Sequence, residues 1–199
     1  MYSVAMITAP RPVNYVSRTL GSLFDSGFTD VTVFEEPGVV DYLHNSEVTR
    51  VKNDVHLGCV FNWLSALDWM VRNKKPPFII CEDDFEITTN RLGTELEMVI
   101  GFQDVGFVSP YCSKANSHGF NNAWGSPRMG GAGWCGALFM LLSEELVRHI
   151  HRNIDLFVEC TYSKKKKPLH LDTAIGLMAS NFANFTHVPT FILHIGEES

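Results

Sequence analysis

The sequence predicts an α/β fold: a single three-layer αβα domain around a mostly parallel central sheet. Three observations carry this. Short apolar runs at Ser3–Thr8, Val31–Phe34 and Phe78–Cys81 alternate with longer stretches whose apolar residues recur at helical spacing. The links between them are short, and a strand–helix–strand unit with short links gives parallel strands joined by a right-handed crossover. Neither an internal repeat nor a linker interrupts the chain of 199 residues, a length that fits one well-cored domain.

The first strand ends in Thr8-Ala9-Pro10-Arg11-Pro12, a turn stiffened by two prolines. Over Tyr15–Ser26, Val16, Leu20, Leu23 and Phe24 form one helical stripe, and Gly27 marks its end. The second strand runs into Glu35-Glu36-Pro37-Gly38. Asp41–Val55 is polar and mixed, and reads as a loop holding at most a short edge strand. Gly58 precedes a second helix, with Val60, Trp63, Leu64, Leu67, Met70 and Val71 on one stripe and Lys74-Lys75 at its negative end. The strand Phe78–Cys81 follows. This β-α-β-loop-α-β order marks residues 1–90 as one half of the domain and 91–199 as the other.

In the second half, Leu92, Leu96 and Val99 continue at helical spacing, and Val105–Val108 reads as a strand. Tyr111–Gly133 is long and weakly hydrophobic and holds five glycines, the profile of a lid or binding loop. Trp134–Leu142 reads as a strand. Ser143 is placed as an N-cap, with Glu144 and Glu145 in the first helical turn. A further helix opens at Leu169–Thr173, and Thr190–Leu193 reads as a final strand that delivers His194.

Composition bounds the function. The chain is 45% hydrophobic and 19% charged with a net charge of −6, which argues against a general nucleic-acid binder. Lys164–Lys167 is the one basic cluster, either a solvated loop tip or a docking patch for an anionic acceptor. Five scattered cysteines form no C-x-x-C pair; Cys81 and Cys135 fall in apolar runs and read as buried thiols. A reduced, cytoplasmic compartment is expected (the host cytoplasm, were the source viral). The Asn184-Phe185-Thr186 sequon is then a chance match. The chain opens directly on a strand, leaving no room for a signal sequence, and no apolar run reaches the length of a membrane span.

The chemistry concentrates where Phe78-Ile79-Ile80-Cys81 runs into Glu82-Asp83-Asp84. Three consecutive carboxylates beside a buried strand repel one another, so they form either a solvated acidic turn or a site for a divalent cation. In parallel α/β sheets ligands bind outside the carboxyl ends of the strands. Those ends here are Thr8-Ala9-Pro10-Arg11, Glu35-Glu36 and Glu82-Asp83-Asp84. Arginine, acids and a cation together suit a nucleotide. Neither G-x-x-x-x-G-K-[ST] nor G-x-G-x-x-G follows the first strand, which argues against P-loop hydrolysis and dinucleotide redox chemistry.

These residues resemble a family, the small GT-A-fold glycosyltransferases that use nucleotide-diphosphosugars, family 2-like with a D-x-D-type motif. The Thr-x-x-Arg-Pro turn, Gly58-x-x-x-Asn62-Trp63, the strand ending in Glu82-Asp83-Asp84 and Leu193-His194-Ile195-Gly196 occur in that family's order. The first acid is Glu82 where the family has Asp. The resemblance implies Mn²⁺ or Mg²⁺ held by Asp84 and His194, with the histidine favouring Mn²⁺. It implies donor contacts from Thr8, Ala9, Arg11, Glu35, Glu36, Gly58, Asn62, Glu82, Asp83, Trp134 and Gly136; Trp134 reads equally well as core. The activity implied is hexosyl transfer from a nucleotide-diphosphosugar, UDP-sugar favoured, to an acceptor hydroxyl. Inversion is expected, with Asp172 as general base, although Asp172 also suits a helix cap. The acceptor stays open among a glycan, a lipid-linked sugar, a protein side chain and a modified DNA base reached through Lys164–Lys167. The alternatives are a nucleotidyltransferase, against which the glycine-free Thr8–Pro12 turn argues, and a catalytically inactive sugar-nucleotide or glycan-binding module.

Overall fold

Alternation along the central strands sorts the core into two layers, one on each face of a sheet. In a computed structural model of the chain, residues 2–40, 42, 48–112, 123–126, 136–161 and 171–196 are described. The first strand, β1 (Val4–Thr8), sends Val4 and Met6 to one face and Ala5 and Ile7 to the other, all of them buried. β2 (Val31–Glu35) and β4 (Phe78–Cys81) flank it in parallel, with Val4 opposite Val31 and Ile79. A strand buried on both faces shows no polar alternation, which is why these three were visible as continuous apolar runs.

β3 (Thr49–Lys52) is the exposed edge strand, parallel to β2, within the stretch expected to be mostly loop. Beyond β4 comes β8 (Phe139–Leu142), antiparallel both to β4 and to β6 (Val105–Ser109). β9 (Ala183–Val188) lies parallel to β6, and β7 (Ala123–Gly125) closes the edge antiparallel to β9. The order is β3-β2-β1-β4-β8-β6-β9-β7. A separate ribbon pairs β5 (Phe85–Ile87) with β10 (Ile192–His194), antiparallel, with Phe85 opposite His194.

Helices cover both faces. α1 (Val16–Asp25) and α3 (Leu92–Ile100) pack on the side of Val4 and Met6. α2 (Gly58–Asn73), α4 (Glu144–Arg152), α5 (Ile154–Cys160) and α6 (Leu171–Met178) pack on the side of Ala5 and Ile7. The result is the three-layer αβα domain. α1 ends as expected: Gly27 has φ +88°, and the amides of Gly27 and Phe28 return to Phe24 and Leu23. Ser143 caps α4, accepting from the Leu146 amide at 3.2 Å.

Three expectations change. The strand expected over Trp134–Leu142 begins only at Phe139, because the amides of Gly136 and Ala137 donate to the carboxylate of Asp172 instead of to a ladder. The final strand shifts to Ile192–His194, with the Thr190 hydroxyl taking the Ile192 amide. β5, β7, β9 and α5 were not anticipated. Cys81 is a buried free thiol as expected; Trp134, Cys135 and Lys164–Lys167 lie outside the described residues, as does most of Tyr111–Gly133. Asn184 is buried in β9 and bonds Ala179, Phe182 and Phe107, so its side chain is out of reach of glycosylation in the folded chain.

Candidate active site

The carboxyl ends of β1 and β4 are neighbours because those strands pair in parallel, and their side chains meet there. Thr8, the last residue of β1, donates its hydroxyl to Asp83 at 2.5 Å across 75 positions of sequence. Arg11, in the proline-flanked turn, lies with Nη2 2.9 Å from Asp83 Oδ1 and donates through Nη1 to Asp84 Oδ2. The contact with Asp83 Oδ1 is an ion pair without hydrogen-bond alignment, since that oxygen has no hydrogen-bond partner among the described residues. Both acids are nearly inaccessible, at 1% and 3% exposure. Buried carboxylates persist only when paired, and Arg11 is the pairing charge in this structure.

The β5–β10 ribbon brings a distant residue to the same place. The Ile195 amide donates to the Asp84 carbonyl at 2.9 Å, and His194 Nε2 lies 3.2 Å from Asp84 Oδ2. A Cβ on Gly196 would collide with Asp84 Oδ2 and come within 2.9 Å of His194 Nε2, so only glycine leaves room beside this pair. Asp84 Oδ1 is buried and has no hydrogen-bond partner among the described residues. An orphaned carboxylate oxygen, an imidazole nitrogen next to its sister oxygen and space kept by a glycine together fit a divalent cation with two protein ligands. No set of three or more metal-type side chains converges among the described residues, so the rest of such a shell would have to come from a ligand or water.

Electrostatics follow the crowding. Burial, then the carboxylates of Asp84 and Asp172, push Glu82 from an ordinary 4.5 up to about 8; Arg11 opposes them. Burial also raises Asp83 to about 6, against the pull of Arg11 and the Thr8 hydroxyl. Burial works against the Arg11 guanidinium, but Asp83, Asp84 and Glu82 outweigh it and its pKa is raised.

Beside the acids lies a cavity of about 80 Å³, lined by Ile7, Thr8, Ala9, Arg11, Glu36, Gly58, Cys59, Asn62 and Glu82. Seven of the residues read from sequence as donor contacts therefore share one wall: Thr8, Ala9, Arg11, Glu36, Gly58, Asn62 and Glu82. Within it, Glu36 has a structural task. Its two oxygens accept the Leu57 amide at 3.1 and 2.9 Å, just before α2, where no side chain on the helix itself caps the N-terminus. Asn62 is buried, its amide group facing the carbonyls of Thr8 and Phe34 at 3.4 and 3.5 Å while its oxygen accepts from Asn53 at 2.9 Å. It ties α2 to the ends of β1 and β2.

Glu35 is not brought to the cavity. It falls on the opposite face from Phe34, where Tyr42 and Arg50 donate to its carboxylate. Gly136 is likewise outside the cavity wall, next to Asp172. Asp172 accepts two backbone amides at 3.1 Å each and is close enough to Glu82 to raise its pKa. Glu86, on β5, pairs with Arg18 of α1.

Two residues that hold the site were not identified from sequence. Thr19 is fully buried in α1; its hydroxyl lies 2.7 and 2.9 Å from the carbonyls of Asp83 and Phe85, which share its one proton, and it accepts the Phe85 amide at 3.2 Å, fixing the acid turn. Its signal was available, as a polar residue within the apolar stripe Val16, Thr19, Leu20, Leu23. Gly196 carried no signal of its own, because its need for space arises from a contact with Asp84, in the turn between β4 and β5.

No family model matches this sequence, and neither does any curated protein. Solved structures do. The chain is similar to a mannosyltransferase from Pyrobaculum calidifontis in complex with GDP-Man and Mn²⁺, at 13% identity and TM-score 0.57 over 94% of this chain and 55% of that one. It is similar to a putative glucose-1-phosphate thymidylyltransferase from Bacillus anthracis, at 8% identity and TM-score 0.58 over 98% of this chain and 89% of that one. The glycosyltransferase GlyE of Streptococcus pneumoniae matches at 11% identity and TM-score 0.56, over 99% of this chain and 55% of that one. The chain thus spans little more than half the length of the two glycosyltransferases. At these identities the likeness is one of architecture, and that architecture is the GT-A-like fold of nucleotide-sugar transferases.

Proposed function

We propose that the protein is a divalent-metal-dependent glycosyltransferase that moves a sugar from a nucleotide-diphosphosugar, UDP-sugar favoured, to an acceptor hydroxyl. The observation that carries this is the meeting of Asp84 and His194, 110 residues apart in sequence, beside a cavity at the carboxyl ends of parallel strands. Residues 1–90 supply the nucleotide side of this reading and residues 91–199 the acceptor side.

Asp84 and His194 would hold the cation, Mn²⁺ favoured over Mg²⁺ because of the imidazole. When bound, the cation neutralises the charge that grows on the leaving diphosphate. Thr8, Ala9, Arg11, Gly58 and Asn62 line the wall against which the nucleotide would lie. In transfer, the acceptor hydroxyl oxygen bonds to the anomeric carbon as the bond from that carbon to the diphosphate oxygen breaks. The hydroxyl proton passes to Asp172, and the pair of electrons leaves with the nucleoside diphosphate. Attack from the face opposite the diphosphate inverts the anomeric centre. Trp134 and Gly136 belong to the sugar side of this scheme, and Lys164–Lys167 to an anionic acceptor.

The test is a panel of nucleotide-sugars with and without Mn²⁺, scored for nucleoside diphosphate released. Mn²⁺-dependent release that disappears in Asp84→Ala is expected; equal release by the variant would refute the metal site. A second reading has one observation in its favour. The thymidylyltransferase match covers 89% of that chain, against 55% for the mannosyltransferase. Nucleotidyl transfer would release pyrophosphate from a nucleoside triphosphate and a sugar phosphate, so the same assay with those substrates separates the two.

A further inference from the structure

We propose that Arg11 is a tethered counter-cation: it neutralises Asp83 and Asp84 in the ligand-free protein, gives up Asp84 to the divalent cation, and moves onto the donor's diphosphate. This rests on the metal–diphosphate reading above.

Arg11 Nη1 and His194 Nε2 approach the same atom, Asp84 Oδ2, the histidine at 3.2 Å. A divalent cation held between Asp84 and His194 would sit against the guanidinium, with like charges at contact distance. The two cations therefore exclude each other from that oxygen. The acids need a positive partner at all times, because both are buried. Arg11 meets that need incompletely: among the described residues, the second oxygen of Asp84 has no hydrogen bond and Asp83 Oδ1 has only the unaligned contact.

The other end of the exchange is also in place. The Arg11 side chain keeps 31% exposure and is part of the cavity wall with Thr8, Ala9, Gly58 and Asn62. A planar guanidinium suits a phosphate as well as it suits a carboxylate, through paired N–H donors. Pro10 and Pro12 hold the backbone on either side, so the move is a side-chain rotation and not a rearrangement of the turn. Cation and diphosphate would then bind cooperatively. Each removes an obstacle to the other: the cation releases Arg11, and the diphosphate gives it a new partner.

The experiment measures Mn²⁺ binding by the loss of the free-ion electron paramagnetic resonance signal, first with Mn²⁺ alone and then with UDP or GDP present. Wild type, Arg11→Gln, Arg11→Lys and Asp84→Asn are compared. Arg11→Gln is expected to bind Mn²⁺ alone on the order of tenfold tighter than wild type, as a like charge is removed. It is expected to bind the nucleoside diphosphate on the order of tenfold more weakly at saturating Mn²⁺, as a paired phosphate contact is lost. Arg11→Lys, which keeps the charge and the fold's need for it, should leave Mn²⁺ affinity near wild type and still weaken the nucleotide. Mn²⁺ affinity that depends on Asp84 but is no tighter in Arg11→Gln, or a nucleotide affinity unchanged in Arg11→Lys, overturns the exchange alone. Failure of every variant to bind Mn²⁺ in an Asp84-dependent way overturns the metal–diphosphate reading and this inference with it.

Discussion

Glu82 and Asp83 are acids that the folded chain holds more protonated than water would. Their pKa values rise on folding, to about 8 and about 6. Between the ordinary and the raised values the folded state binds more protons than the unfolded one, so stability from these groups is full at low pH and falls as pH rises. In chelator, the melting temperature should therefore carry a component that falls through about pH 6, from Asp83, and through about pH 8, from Glu82. Glu82→Gln should remove the upper part of that fall; a variant with the wild-type profile between pH 6 and 9 would contradict the assignment. Gly196 makes the opposite kind of demand, for space. Gly196→Ala should weaken Mn²⁺ by on the order of ten- to a hundredfold, as displaced ligand geometry does. The far-ultraviolet circular dichroism should be unchanged, because the added methyl meets Asp84 and His194 and no core residue. Unaltered Mn²⁺ affinity in that variant would mean that the Asp84–His194 pair is not where the ion binds. At this scale Asp84, Thr8 and Arg11 were legible, since each sits at the end of an apolar run. Glu35 misled because its own sequence neighbours say nothing of Arg50 and Tyr42, which take its charge.

Two short elements decide the site's geometry. The ribbon of β5 and β10 is only three residues on each side, yet it sets His194 opposite Phe85 and hence next to Asp84. α1 contributes through Thr19, whose hydroxyl bridges the carbonyls on either side of Asp84. Thr19→Val keeps the volume and loses the hydroxyl's bonds to the Asp83 and Phe85 carbonyls and from the Phe85 amide; buried polar groups left unpaired cost about 1–3 kcal/mol, so its urea midpoint should fall and its Mn²⁺ affinity with it. A loss of stability with wild-type Mn²⁺ affinity would show that Thr19 supports only the core. α4 gives a control remote from the acids: Ser143→Ala removes the cap on Leu146 and should cost about 1 kcal/mol while leaving Mn²⁺ binding as it was. α4 and its cap were legible because capping is local, a serine followed by two acids. β9 was not, since Asn184, Thr186 and His187 are buried in it and break the apolar alternation. Nor was β5, which directly follows the acids and reads as part of their turn.

Across the whole molecule, parallel pairing of β1 with β2 and β4 aligns the ends that carry Thr8, Glu36 and Glu82. That much followed from sequence, because short-linked βαβ units leave few topologies. The antiparallel insertion of β8 between β4 and β6 did not, since register between strands far apart in the chain depends on packing that no local pattern encodes. No helix among the described residues is long and apolar enough to cross a membrane. The fold shared with a mannosyltransferase and a putative thymidylyltransferase does not distinguish between the two reactions proposed above. The most direct measurement is the Mn²⁺-dependent release of nucleoside diphosphate from a panel of nucleotide-sugars, by wild type and by Asp84→Ala. The account predicts release from at least one nucleotide-sugar in the presence of Mn²⁺, lowered by on the order of a hundredfold or more in the variant. Release that is indifferent to both the ion and Asp84 would contradict it.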